Sequence, residues 1–189
     1  MSSLNKSIES KFNELRQAIK TDRGKAITSQ GVNAFLLVYP PEEEDTYLER
    51  AKKDFASEYI IDLSELFVEL IDEWGFDNFK EAYKNYRSTL SAIFSNESSE
   101  NPDLMNLIRR EVKKARDNEQ KPVLIRTGIL YGTDIRNKVI LEDDIIKELT
   151  TKRPLIIFYP GKVEKDMNEK ERVWFLGVQK ASDYRGQLI

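Results

Sequence analysis

Arg126 carries the first chemical question in this chain. It sits in the run V-L-I-R-T-G, where a guanidinium among apolar residues is costly unless it is paired or lies at a rim. Two uses fit it: a contact to an anion or a partner's carboxylate, or a structural ion pair, with Asp62 as the nearest candidate on another strand. Asp134, Glu142, Asp143 and Asp144 offer oxygen atoms of the kind magnesium takes. Adjacent residues on a helix point about 100° apart, however, so a solvated acidic face is the simpler account. The basic run Arg109, Arg110, Lys113, Lys114 and Arg116 could meet phosphates. It has no interleaved aromatic residue, and Glu111 and Asp117 dilute it. The aromatic residues Phe76, Phe79, Tyr83 and Tyr86 keep helical spacing, which suits a core or a partner surface better than a cofactor box.

Composition removes much of the remaining chemistry. The 189 residues include no cysteine and no histidine. Thiol catalysis, disulfides and cysteine-based zinc or iron–sulfur sites are therefore excluded. The commonest general base and the commonest metal ligand are absent too. Serine, threonine, lysine and tyrosine remain, but no two of them fall into a nucleophile–base pattern. Phosphate binding behind a first strand needs glycines whose N–H groups approach the anion. The corresponding stretch here is Y-P-P-E-E-E-D, with two prolines and four carboxylates, and neither a P-loop nor a GxGxxG motif occurs. The reading is a chain that is not an enzyme and uses no cofactor or metal.

The elements that must position these residues follow from apolar periodicity. Leu4, Ile8, Phe12, Leu15 and Ile19 form one helical stripe, predicting an amphipathic helix over 3–21. Ala34–Tyr39 is continuously apolar and stopped by Pro40-Pro41, as expected of a strand buried on both faces. Pro41 and the carboxylates Glu42 to Asp45 then open a helix. Tyr59–Leu63 reads as a second strand, with Ser64 capping the helix after it. A helical insertion occupies about 64–119. Pro122–Thr127 is the third strand, Ile135–Leu149 a helix, Pro154–Tyr159 the fourth strand, Lys162–Arg172 a polar loop and Val173–Val178 a fifth strand.

Strands alternating with helices imply right-handed crossovers. The expectation is one α/β domain over 1–189. It has a mainly parallel, five-stranded, Rossmann-like sheet with helices on both faces and no P-loop. Ligands of such sheets bind beyond the carboxyl ends of the strands. That places the candidate site at Tyr39, Asp62, Arg126-Thr127-Gly128 and Tyr159-Pro160-Gly161. A hydrophobic content of 40% with 33% charged residues is globular composition, and a net charge of −3 draws the whole chain to neither nucleic acid nor membrane. The first residues lack the apolar core of a signal peptide, and no apolar run approaches the ~20 residues of a membrane span. A cytoplasmic protein is expected.

The C-terminal part, about Pro122 to Ile189, resembles the BrxB proteins of BREX bacteriophage-defence systems. The likeness lies in V-L-I-R-T-G-I-L-Y-G (123–132), P-L-I-I-F-Y-P-G (154–161), W-F-L-G (174–177) and the closing Asp183-Tyr184-Arg185. This chain would be a divergent member. The resemblance implies a non-catalytic component acting through other BREX proteins, with a PglZ-type phosphatase-like protein as partner. Arg126, Thr127, Tyr131, Tyr159, Asp183, Tyr184 and Arg185 become candidates for contact with a partner or an anion. Gly128 and Gly161 are attributed to turn geometry. The alternative is a degenerate nucleotide- or nucleic-acid-binding α/β domain using Arg126 and the Arg109–Arg116 helix. A magnesium-dependent hydrolase using Asp62 and Asp134 is a more distant third.

Overall fold

The computed structural model describes residues 7–21, 33–85, 94–95, 103–165, 171–181 and 187–189. Its order is α1 (Ile8–Lys20), β1 (Ala34–Tyr39), a 3-10 turn (Pro41–Glu43), α2 (Glu44–Asp54), β2 (Tyr59–Asp62), α3 (Leu63–Trp74), α4 (Phe76–Asn85) and α5 (Leu104–Asp117). There follow β3 (Pro122–Ile125), a second 3-10 turn (Thr127–Leu130), α6 (Asn137–Glu142), α7 (Asp144–Leu149), β4 (Leu155–Lys165), β5 (Glu171–Phe175), β6 (Gln179–Lys180) and β7 (Gln187–Leu188). The parallel strands run in the order β2-β3-β4-β1-β7. The fold is α/β and Rossmann-like, with three helices among the described residues between β2 and β3.

Side-chain alternation along the central strands builds two cores. Leu36, Val38, Leu124, Ile157 and Tyr159 face α3, α4, α5, α6 and α7. Phe35, Leu37, Tyr39, Ile125, Ile156 and Phe158 face α1 and α2. Both faces are covered, which is why β1 has no polar side. The helices dock by their apolar stripes. In α5, Leu104, Leu107, Ile108, Val112 and Ala115 are buried, and Asp103 caps its start by accepting from the Asn106 N–H at 2.8 Å.

Several expectations are corrected. Val173–Val178 does not form a fifth parallel strand. β4 continues through Lys165, and β5 returns antiparallel to it, so the expected polar loop at 162–172 is largely a hairpin. The fifth parallel strand is the two-residue β7, which adds to the other edge of β1. The third strand ends at Ile125, before Arg126. The expected helix over Ile135–Leu149 is two short ones, broken where Asp143 adopts an extended conformation (ψ 122°) and caps α7 through the Ile146 N–H. Ser64 lies inside α3; the cap is Asp62, whose carboxylate accepts from both the Ser64 N–H and its hydroxyl.

Candidate functional site

Two segments rise from the carboxyl end of the sheet and lean toward each other. The first follows β3. Arg126 turns it with a left-handed backbone (φ 55°), and Thr127 then ties it down: its buried hydroxyl donates to the Phe158 carbonyl of β4 at 2.7 Å. Gly132 (φ 85°) and Asp134 (φ 61°) fold the loop back, and the Thr133 hydroxyl braces it by donating to the Leu130 carbonyl at 2.8 Å. The second segment is the β5–β6 hairpin. The Leu176 N–H donates to the Pro160 carbonyl at 3.0 Å, and Leu176 (φ 50°) and Gly177 (φ 72°) make its turn.

Between them lies a cavity of about 410 Å³. Ile157, Tyr159, Leu130, Ile135, Ile140 and Phe175 supply its apolar lining. Tyr159 stacks on Phe175 with ring centroids 4.9 Å apart. Tyr131 and Val178 also line the cavity and are 56% and 63% exposed, which places them at its mouth. Arg136, Lys180, Gln179 and Asp134 add the polar groups of the lining. Burial pushes the Tyr159 phenol well above the ordinary tyrosine range, with the Arg136 guanidinium opposing that shift. The hydroxyl therefore keeps its proton and can act as a hydrogen-bond donor.

Of the sequence-derived candidates, Thr127, Tyr131, Asp134 and Tyr159 line this cavity. Arg126 does not. It points to the start of α3, with its Nε 3.6 Å from the Asp62 carboxylate and a guanidinium nitrogen 3.4 Å from the Ser64 hydroxyl, and its side chain stays about half exposed. Asp183, Tyr184 and Arg185 lie outside the described residues, as does Tyr86. No family model, curated protein or solved structure matches the chain.

The other sequence candidates are accounted for locally. Tyr39 faces the opposite core, stacks on Tyr47 at 4.9 Å and donates to Glu44 at 2.8 Å. Arg109, Arg110, Lys114 and Arg116 of α5 are used in ion pairs. Arg109 meets Asp143 at 2.6 Å, Arg110 holds Glu69 with two nitrogens, and Lys114 meets Glu111 at 2.7 Å. Among the described residues no group of three carboxylates is arranged to hold a metal ion. No described helix is long and apolar enough to cross a membrane. The cavity residues that sequence reading missed are Arg136, Lys180 and Val178. Arg136 and Lys180 lie in polar stretches and Val178 ends the apolar run Val173–Val178, and only the fold brings the three together.

Proposed function

We infer that the chain is a non-catalytic interaction component of a BREX-type phage-defence complex, related to the BrxB proteins. Its partner in this reading is a PglZ-type phosphatase-like protein, met in the cytoplasm. The observation that carries the reading is convergence. The stretches 123–132, 154–161 and 174–177, which bear the resemblance, come from separate parts of the chain and surround one cavity. Within them Tyr131 is an exposed aromatic of the lining, the side-chain chemistry enriched at the centres of protein interfaces, and Val178 just beyond them adds exposed apolar surface.

The test is co-expression with the PglZ-type protein of the same genome, followed by size-exclusion chromatography. Co-elution is expected, with Tyr131→Ala and Val178→Ser reducing it by about tenfold or more in affinity, the usual effect of removing a central anchor. Separate elution at both low and high salt would overturn the reading. The alternative, a degenerate nucleotide- or nucleic-acid-binding domain, draws on Arg136 and Lys180 in place of the paired arginines of α5. It requires a steep fall of DNA affinity with salt.

A further inference from the structure

We propose that the cavity between the 127–137 loop and the β5–β6 hairpin binds a small molecule with a flat apolar body and an anionic group. Its volume of about 410 Å³ falls in the range of small-ligand sites, roughly 300–1,000 Å³. It opens at the carboxyl ends of β3 and β4, where parallel α/β sheets hold their ligands. The walls are aliphatic and aromatic, so a ring system would be desolvated there and lie against the Tyr159–Phe175 stack.

Two features inside this apolar space ask for a ligand. The Tyr159 ring is buried, but its hydroxyl is not closed off from solvent and makes no hydrogen bond to a described residue, so it is free to meet a molecule in the cavity. A ligand that displaces water from this hydroxyl must offer it an acceptor or leave it unsatisfied. Arg136 and Lys180 line the same cavity, are exposed, and have no carboxylate within ion-pair distance among the described residues. Arg109 and Arg110, on the neighbouring helix, are by contrast fully paired. Asp134 is the single acid of the lining, so the site carries a net positive charge. A neutral apolar ligand would leave both cations and the phenol unused, whereas an anion with a ring system uses all of them. Nucleoside monophosphates and aryl carboxylates share this chemistry. The proposal does not depend on any protein partner.

The probe is 1-anilinonaphthalene-8-sulfonate, whose rings and sulfonate match the required class, titrated calorimetrically into the full chain. One-to-one saturable binding is expected. Arg136→Gln/Lys180→Gln should weaken it by about tenfold or more, and Tyr159→Phe by about three- to tenfold. The two cations are surface residues, so the double variant should melt as the wild type does. Competition then separates the sources: displacement by adenosine monophosphate marks a nucleotide, and displacement by 4-phenylbenzoate marks an aryl carboxylate. No saturation at millimolar probe, equal binding by the double variant, or displacement by neither competitor would overturn the proposal. Failure of co-elution with the PglZ-type protein would leave it standing.

Discussion

Replacing Gly161 by alanine should loosen the hairpin that walls the cavity. Gly161 has no positive φ, so a turn conformation is not what selects glycine there. The expectation from sequence that turn geometry explains it is corrected by the contact it makes. A Cβ at this position would lie 2.8 Å from the Trp174 carbonyl oxygen and 3.2 Å from a Val173 methyl. The first is a backbone atom already engaged, since the Trp174 carbonyl accepts from the Gly177 N–H at 3.1 Å. Relieving the clash means moving β5 outward and straining the turn beyond it. Overpacking of this kind costs about 1–3 kcal/mol. The reduced freedom of the unfolded chain returns about 0.4–1 kcal/mol. A net loss of about 1–2 kcal/mol follows, or about 2–8 °C in Tm for a chain of this size. Gly128 is the control. Its Cβ would find Leu176 and Pro160 at 3.6 Å, ordinary contact, and its φ is unremarkable, so Gly128→Ala should be neutral or slightly stabilising. Urea denaturation followed by tryptophan fluorescence compares the two, with Trp174 on β5 itself as a reporter. Equal stability of the two variants would refute the close-approach account.

Two further outcomes follow from Arg126 and from the buried tyrosines. Arg126 holds a left-handed backbone (φ 55°), which costs a non-glycine residue about 1–2 kcal/mol, and its half-exposed pair with Asp62 is worth about 0–1 kcal/mol. Arg126→Gly should therefore be more stable than Arg126→Ala by about 1 kcal/mol in urea melts; the reverse order would show that the turn imposes no such strain. Burial, then the Glu43 carboxylate, pushes Tyr47 up to about 12. Burial, then a hydrogen bond to Glu111, does the same for Tyr59, also to about 12. Because both folded values lie above the unfolded value near 10, the stability they contribute is complete below pH 10 and is lost as pH rises toward 12. Denaturant midpoints should fall across that window, with the fall smaller in Tyr59→Phe. Phenolate absorbance rising fully near pH 10 without loss of stability would contradict it.

What was legible in the sequence were the elements whose two faces share one environment. Ala34–Tyr39 reads as a strand because every residue is apolar, and it is buried throughout. Also legible is the inner stripe of α1, where Phe12 and Leu15 are buried, because a helical period sets it against a polar, exposed face. The errors arose where one strand serves two neighbours. Pro160-Gly161 looks like a terminator, yet β4 pairs with β1 as far as Pro160 and with β5 from Gly161 onward. The proline falls at the changeover between partners, where a missing N–H is tolerated. Asp143 was read as part of an acidic surface because Glu142-Asp143-Asp144 is a charge run. Its actual work, capping α7 and holding Arg109, depends on a break in the helix that periodicity does not report. The cavity was half legible. Strand exits pointed to Thr127 and Tyr159, whereas Arg136 and Lys180 reach it from a polar loop and a two-residue strand that carry no pattern of their own.

The four residues F-Y-P-G of β4 show how one short stretch can organise such a site. The Phe158 carbonyl accepts the Thr127 hydroxyl and so fixes the loop on one side. The Tyr159 side chain lines the cavity and stacks on Phe175. The Pro160 carbonyl accepts the Leu176 N–H and fixes the hairpin turn on the other side. Gly161 admits the backbone of β5 at a distance that no side chain allows. Consecutive residues thus hold the first wall, line the interior, hold the second wall and set its distance. Three of the four act through backbone groups or absent atoms, so their contribution is to the shape of the site and not to contact with whatever occupies it. Recognition then falls to the groups these residues leave free to act: the Tyr159 hydroxyl inside, Arg136 and Lys180 beside it, and Tyr131 and Val178 at the mouth. A substitution in the first set should change stability and binding together, and one in the second should change binding alone.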